Sequence, residues 1–133
     1  MVATSAWDPI PEARPALERL RAHIQGTLLE PTDPGYEQAR AVWNGMIDRR
    51  PRAVVQAATT ADIAPVIAAA RETGLPLAVR GGGHSIAGLG TVDDGIVLDL
   101  GALTDVEVDA SRRLVTVAPG ATAADVDAAT SAH

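Results

Sequence analysis

The sequence predicts an α+β domain, and three of its features carry that prediction. Two apolar runs of strand length flank a segment of helical periodicity, as in a β-α-β unit over residues 53–80. A segment of alternating apolar and acidic residues, a polar turn and a second apolar segment predict an antiparallel hairpin over residues 106–117. Between these units lies a glycine-rich stretch without a period, which predicts a long loop. A chain of 133 residues is long enough to bury the core of one such domain.

The N-terminal third predicts two short helices. The first begins at Pro15, which suits the first turn of a helix, and ends at Gly26, which suits its last. A second helical stretch, residues 36–43, follows a turn rich in Pro and Gly. Trp43 is expected to be packed, because a lone Trp is rarely left exposed. The arginines within residues 49–52 are expected to form a solvated connector.

The β-α-β unit has clear boundaries. Residues 53–57 are strand-like, and Pro65 must lie in the first turn of the following helix, because deeper in the helix it would lose a hydrogen bond and clash. Asp62 is therefore a better N-cap than either threonine before it. Gly74 ends the helix, and residues 76–80 form the next strand. A crossover of this kind predicts that its two strands pair in parallel and with a right-handed connection.

The C-terminal part predicts a strand, the hairpin and one more helix. Residues 96–100 form a nearly continuous apolar strand, and Pro119-Gly120 breaks the second strand of the hairpin. Thr122 and Asp125 resemble a capping box at the start of a helix. The chain stops at His133 without a capping glycine, as a truncated helix would. We expect the apolar face of this helix and the strand 96–100 to lack part of their covering.

Composition and charge exclude several classes of function. The net charge of −6 at pH 7 leaves no general basic surface for nucleic acid. The absence of cysteine excludes a disulfide framework and a thiolate metal site within these residues. The first ten residues show neither the basic nor the apolar region typical of a leader peptide, and the sequence has no apolar run of about 18 residues. We therefore expect a cytoplasmic protein that binds neither nucleic acid nor membranes.

The stretch Arg80-Gly81-Gly82-Gly83-His84-Ser85 is the candidate functional site. Consecutive glycines cost backbone order unless the chain needs a positive φ or a partner at close range. Successive N–H groups of such a turn can form a concave site for an anion, of which phosphate is the commonest. The imidazole of His84 can act as a nucleophile, a base or a metal ligand.

Two familiar phosphate-binding motifs do not fit this loop. The dinucleotide motif Gly-x-Gly-x-x-Gly opens a helix, whereas here Ile86 occupies the third glycine position and no helical period follows. The sequence also has no Gly-Lys-Ser/Thr, so the loop is not of the Walker type.

The loop nevertheless resembles a known family. Together with Ala87-Gly88 and Val97-Leu98-Asp99-Leu100, it resembles the N-terminal part of flavin-linked oxidases, the berberine-bridge-enzyme-like members of the vanillyl-alcohol-oxidase superfamily. The resemblance begins near Tyr36 and takes in Trp43-Asn44-Gly45 and Asp48-Arg49-Arg50-Pro51. The order of strands, helices and loop also matches to the last residue.

The resemblance implies a fold and a domain organisation. The fold would be the PCMH-type FAD-binding fold, of which this chain carries the first subdomain in truncated form. Residues 1–35 would be a helical lead-in with an irregular start at 7–11. Residues 36–133 would be the N-terminal portion of the FAD-binding domain.

The resemblance also implies a cofactor and a reaction. FAD would be held by its pyrophosphate on the loop amides, and the His84 imidazole would be bonded to the 8α-methyl carbon of the isoalloxazine ring. The full-length protein would be an FAD-dependent oxidoreductase that passes a hydride from a small organic substrate to the flavin. A missing C-terminal region or a partner chain would complete the site and supply the catalytic base. The residues expected to contact FAD are Arg80, Gly81, Gly82, Gly83, His84, Ser85, Gly88, Pro119 and Gly120, although the last two also suit a turn without a ligand.

Two other functions stay open at this point. The chain could be a free-standing flavin or nucleotide carrier without catalysis. It could instead be a degenerate remnant whose role is contact with a partner chain. A second glycine-rich flavin motif beyond these residues would favour the enzyme.

The remaining polar residues favour structural roles. Asp93 and Asp94 could be carboxylate ligands, but adjacent Asp residues in a glycine-rich turn are more often turn formers. His23 is expected to face solvent or to pack on its helix. His133, as the final residue, is assigned no role.

Overall fold

The computed structural model describes residues 13–133, so the irregular start predicted at residues 7–11 lies outside the described residues. The α+β class is confirmed. The elements, in chain order, are α1 Arg14–His23, β1 Thr27–Leu29, α2 Tyr36–Arg40, β2 Ala53–Gln56, a 3-10 turn Thr60–Asp62 that leads into α3 Ile63–Thr73, β3 Leu77–Arg80, β4 Ile96–Asp99, β5 Val106–Asp109, β6 Leu114–Val117 and α4 Ala123–Thr130.

The main sheet has the strand order β1-β2-β4-β3. The strands β2 and β3 are parallel, as predicted, but they do not pair with each other, because β4 lies between them and pairs in parallel with both. Ile96, Val97 and Leu98 of β4 are at most 1% exposed. A strand that is apolar on both faces belongs in the middle of a sheet that is covered on both sides, and this explains why β4 takes that place.

Helices cover both faces of this sheet. On one face, α1 and α3 bury side chains such as Leu17 and Val66 against Val55 and Leu98. On the other face, Tyr36 of α2 packs against residues that lie side by side in β2, β4 and β3. Its hydroxyl donates a hydrogen bond to the Pro51 carbonyl at 2.6 Å. Side chains of successive strand residues point to opposite faces, so the apolar runs supply both layers.

Strand β1 was not predicted. Helix α1 ends at His23 rather than at Gly26, and Thr27–Leu29 pairs antiparallel with β2. A Cβ on Gly26 would lie 2.0 Å from the Gln56 carbonyl oxygen, so this glycine is where the chain first meets β2. Gly26 therefore serves a close backbone approach and not the helix end.

The start of α3 agrees with the prediction in position but not in chemistry. Asp62 is the N-cap residue of α3, as predicted, but its side chain makes no capping hydrogen bond to this helix, and Thr59 is the N-cap of the 3-10 turn before it. Asp62 is 2% exposed, and its carboxylate accepts hydrogen bonds from the N–H groups of Gln25, Gly26, Ala58 and Thr59 at 2.7 to 3.2 Å. Burial alone would raise the pKa of Asp62, but the four N–H donors outweigh it and hold the pKa below its ordinary value. Asp62 thus joins the α1–β1 connection to the β2–α3 connection.

The hairpin β5–β6 forms a separate two-stranded sheet, as its sequence predicts. The capping box of α4 is confirmed: Thr122 and Asp125 exchange side-chain to backbone hydrogen bonds at 2.7 and 3.2 Å. The expectation that residues 96–100 lack covering is wrong, because β4 is the central strand. Helix α4, to which the same expectation applied, has no buried residue. In β6, Leu114, Val115 and Val117 are also 55%, 40% and 42% exposed.

Candidate functional site

The glycine loop begins where β3 ends. It leaves the sheet at the carboxyl ends of three parallel strands, which is where open α/β sheets bind their ligands. Gly83 has φ +72° and Gly88 has φ +73°, conformations that a side chain disfavours. The predicted need for positive φ is therefore met at Gly83 and at Gly88.

The loop offers a run of free amide donors. Within residues 13–133, no carbonyl or side chain accepts a hydrogen bond from the N–H groups of Gly81 to Ser85. Gly82 and His84 are exposed, and the other residues of this run are half-buried. Successive unpaired N–H groups next to a glycine turn suit the oxygens of a phosphate, so the donor set fits the pyrophosphate that the sequence implied.

Two of the three glycines are explained by neighbours in the protein itself. A Cβ on Gly81 would lie 2.2 Å from the carbonyl oxygen of Pro119. A Cβ on Gly82 would lie 3.2 Å from Cδ2 of His84. Gly81 is thus required by backbone packing, and Gly82 leaves room for the imidazole.

The structure brings Pro119 and Gly120 to the loop. Pro119 packs on Gly81, and the N–H of Gly120 donates to the Leu103 carbonyl at 2.8 Å. A Cβ on Gly120 would lie 2.4 Å from the carbonyl oxygen of Gly101. The turn after β6 therefore rests against the carboxyl ends of β3 and β4, beside the glycine loop.

The side chain of Arg80 is committed to the protein. Its guanidinium is 7% exposed, forms an ion pair with Asp99 at 2.8 Å, and donates to the carbonyl groups of Ala39 and Ala41. These bonds join the end of α2 to the central strands beneath the loop. Any contact of Arg80 with a ligand is left to its backbone.

Ser85 and Gly88 shape the second half of the loop. The Ser85 hydroxyl accepts the N–H of Leu89 at 3.1 Å, and its carbonyl accepts the N–H of Gly88 at 3.0 Å. A Cβ on Gly88 would lie 2.8 Å from Cγ2 of Ile47. The ligand contacts predicted for Ser85 and Gly88 stay predictions. The contacts that the structure shows for them are all with other residues of the protein.

The prediction that Trp43 is packed is wrong. Its side chain is 68% exposed, and its indole stacks on the imidazole of His84 with ring centroids 5.7 Å apart and planes at 27°. Helix α2 stops at Arg40, so the chain turns before Trp43 and carries it to the loop rather than into the core. The Trp-Asn-Gly segment quoted for the family resemblance was the one signal that could have placed it there.

The arginine connector is not merely solvated. The half-buried Arg49 donates from Nη1 to the carbonyl oxygens of Gly88 at 3.0 Å and Thr91 at 2.8 Å. Only Arg50 fits the prediction of an exposed side chain, where it pairs with Glu37 at 2.9 Å. Carbonyl groups turned inward by the glycine turns need donors, and Arg49 supplies them.

The other histidine and acidic residues take the expected structural roles. His23 is exposed, with Nδ1 2.7 Å from the Arg19 carbonyl. Asp93 accepts the N–H of Arg50 at 2.7 Å, and Asp94 adopts φ 54°, so both are turn formers. No group of three or more His, Asp or Glu side chains in the part of the chain that the structure describes could hold a metal ion. Nor does any helix from residue 13 onward have the length and apolarity to cross a bilayer.

Comparison with known proteins gives the same picture. Residues 51–133 match the family described as FAD binding domain. The chain is 31% identical over 103 residues to (R)-6-hydroxynicotine oxidase of Paenarthrobacter nicotinovorans, covering 77% of the chain and 22% of that protein. It is 40% identical over 94 residues to the FAD-linked oxidoreductase hasG of Aspergillus fumigatus, covering 70% of the chain and 20% of that protein. The chain spans about a fifth of the length of these curated relatives.

Solved structures share the fold. A crystal structure of 6-hydroxy-D-nicotine oxidase from Arthrobacter nicotinovorans superposes with a TM-score of 0.76 at 29% identity, over 82% of this chain and 24% of that one. The BBE-like 1 protein of Physcomitrella patens gives a TM-score of 0.68 at 25% identity, over 76% of this chain and 22% of that one. The PCMH-type fold implied by the sequence, in the form of a first subdomain, is therefore confirmed.

Proposed function

The chain belongs to the FAD binding domain family of FAD-linked oxidoreductases, and we propose that its loop amides from Gly81 to Ser85 hold the FAD pyrophosphate. The observation that carries this proposal is the run of N–H groups at the end of β3 that have no acceptor within residues 13–133. The turn at Pro119-Gly120 packs on Gly81 and supplies the neighbouring wall. Arg80 and Arg49 bond to the protein on the sheet side of the loop and keep it rigid.

His84 is the proposed point of covalent attachment. It is exposed, and neither of its ring nitrogens has a hydrogen-bond partner among the described residues. Attachment would form a bond between one ring nitrogen of His84 and the 8α-methyl carbon of the isoalloxazine ring, with one proton lost from each. It would need a two-electron oxidant, for which dioxygen, reduced to hydrogen peroxide, would serve. An imidazole nitrogen is nucleophilic at neutral pH, and attachment makes the anchoring irreversible.

In the full-length protein we expect oxidation of a small organic substrate. When bound, FAD would accept the hydride. This chain would hold the cofactor in position and set the electrostatic field around it. A C-terminal region or a partner chain provides the substrate pocket and the catalytic base. The relatives carry names of oxidases and FAD-linked oxidoreductases, which favours an enzyme over a free-standing flavin carrier or a partner-binding remnant.

The test is acid precipitation of the full-length protein purified with its cofactor. The yellow colour is expected to stay in the wild-type pellet, and His84→Ala is expected to release part or all of it. His23→Ala is the matched control, because His23 is an exposed histidine on α1, away from the loop. A colourless wild-type pellet would overturn the histidyl linkage, while FAD in the supernatant would leave the pyrophosphate site in place.

A further inference from the structure

Trp43 is a large apolar side chain that the fold does not use for its core. Its indole is 68% exposed, so hydrophobic burial does not explain its position. Its one aromatic neighbour in the described residues is the imidazole of His84, at a centroid distance of 5.7 Å and a plane angle of 27°. That separation lies within the range of about 4.5–7 Å in which aromatic rings attract each other in offset stacks.

The backbone on both sides of the indole is fixed to the same loop. The N–H of Trp43 donates to the Gly83 carbonyl at 3.2 Å. The side-chain amide of Asn44 donates to the Ile86 carbonyl at 2.9 Å. These two bonds reach the residues that precede and follow His84 and Ser85, so the indole and the imidazole are held in one frame.

The imidazole is also confined at one edge. The bare Cα of Gly82 faces it, since a Cβ there would lie 3.2 Å from Cδ2 and 3.9 Å from Nε2 of His84. The indole limits rotation out of the ring plane, and Gly82 permits the ring to lie beside the loop backbone. A nucleophile held in one orientation reacts faster than one that samples several rotamers.

We infer that Trp43 is a positioning residue for His84: the stacked indole fixes the imidazole in the orientation from which it attacks the flavin. This inference rests on the proposed histidyl attachment and adds to it the residue that orients the nucleophile. The reaction is the proposed attachment of His84 to the 8α-methyl carbon, with dioxygen as the final electron acceptor. Trp43 forms no bond in it.

The test compares rates of flavin attachment in the full-length protein. Apo-protein from a riboflavin-starved host is mixed with FAD, and samples taken over time are denatured and assayed for covalent flavin by in-gel fluorescence. Trp43→Ala is expected to slow attachment about tenfold or more, with the amount of FAD bound before attachment unchanged. Trp43→Phe keeps an aromatic face and is expected to stay within about threefold of the wild type. Met46→Ala is the matched control, because Met46 is 90% exposed in the same segment and does not stack on His84.

A second readout does not involve the cofactor. In apo-protein labelled at histidine, the ring protons of His84 are assigned by their loss in His84→Ala. Their chemical shifts are expected to move toward free-histidine values in Trp43→Ala and to stay in place in Trp43→Phe and Met46→Ala. Unmoved shifts in Trp43→Ala would overturn the stacking.

The outcomes separate this inference from the function on which it rests. Wild-type attachment together with a normal rate in Trp43→Ala would overturn the positioning role and leave the histidyl linkage standing. A Trp43→Phe variant as slow as Trp43→Ala would do the same, since the aromatic face would then not be what matters. A wild-type protein that never attaches flavin would overturn the linkage first and this inference with it.

Discussion

Gly81 and Gly82 are adjacent, but a side chain at each would meet a different kind of obstacle. The Cβ of an alanine at 81 would lie 2.2 Å from a backbone oxygen, that of Pro119, which cannot move aside without moving the turn after β6. At 82 the obstacle is Cδ2 of the His84 imidazole at 3.2 Å, a side-chain atom rather than the backbone. Gly82 also lacks a positive φ, so alanine there adds no backbone strain.

We therefore expect opposite outcomes for the two alanine variants. Gly81→Ala is expected to destabilise the fold by about 1–3 kcal/mol, the range for overpacking. Gly82→Ala is expected to leave stability within about 1 kcal/mol but to slow flavin attachment through displacement of His84. Thermal unfolding and in-gel flavin fluorescence measure the two effects. Equal losses of stability and flavin in Gly82→Ala would instead make that glycine a folding requirement.

The carboxylate of Asp62 is buried and accepts four backbone hydrogen bonds, so substitution of this residue is expected to lower stability strongly. Asparagine offers one acceptor oxygen in place of two and turns an NH2 group toward N–H groups that need an acceptor. Asp62→Asn is therefore expected to cost roughly 3 kcal/mol at neutral pH, because buried donors are left unsatisfied. Thermal unfolding of both proteins checks this. A change below about 1 kcal/mol would mean that water replaces the carboxylate.

The same residue gives a pH dependence with a defined sign. The pKa of Asp62 is lowered in the folded state, net of a burial effect that raises it. Its contribution is fully present above the unfolded pKa of about 4 and is lost as the pH falls through the lower folded value. The stability gap between wild type and Asp62→Asn is therefore expected to be constant from pH 7 to 5 and to narrow below pH 4. A gap that widens on acidification would contradict the lowered pKa.

Among the elements, the segment from Trp43 to Arg49 and the glycine loop support each other. Asn44 reaches the Ile86 carbonyl, Ile47 packs on Gly88, and Arg49 reaches the carbonyls of Gly88 and Thr91. A loop with little regular structure keeps its shape only if its backbone groups find partners. The segment before β2 is therefore the support on which the candidate site depends.

A pair of neighbouring arginines tests this support. Arg49→Gln is expected to lower stability by about 1–3 kcal/mol and to expose the second half of the loop, because two inward carbonyls lose their charged donor. Arg50→Gln removes an exposed pair with Glu37 and is expected to leave stability almost unchanged, because solvent screens such a pair. Thermal unfolding and limited proteolysis of the loop distinguish the two. Identical behaviour of both variants would show that the carbonyl contacts of Arg49 carry no weight.

The sequence allowed prediction of the elements with strong local signals and not of those that depend on distant partners. Strands β2 to β6 and the capping box of α4 follow from apolar runs and turn residues within a few positions. Strand β1 has only three residues and forms by antiparallel pairing with the edge of β2. The positions of Trp43 and Arg49 depend on a loop about 40 residues away, so no pattern of helix, strand or turn residues around them could place them. The loop itself was found because three consecutive glycines cost backbone order unless the chain needs them, and because the loop and the strands around it resemble a known family.

Across the whole molecule, the two sheets differ in how well they are covered. Residues 96–98 of the inner strand β4 are buried between helices, whereas β6 leaves Leu114, Val115 and Val117 half-exposed. Helix α4 has no buried residue, so it does not close that face. Contiguous exposed apolar residues of this kind mark an interaction surface. The hairpin β5–β6 and α4 thus contain no buried residue, unlike the strands of the main sheet.

This difference predicts the behaviour of residues 1–133 produced alone. They are expected not to catalyse and to bind FAD weakly, because a ligand of this size is normally enclosed over most of its surface, and these residues offer the pyrophosphate side only. The uncovered hairpin is expected to cause association at high concentration. Titration with FAD followed by flavin fluorescence, beside light scattering, measures both effects, with His84→Ala as the control for any slow covalent attachment. Tight stoichiometric binding by a stable monomer would contradict this expectation and would favour a free-standing flavin carrier, since the chain would then enclose its cofactor without a second domain.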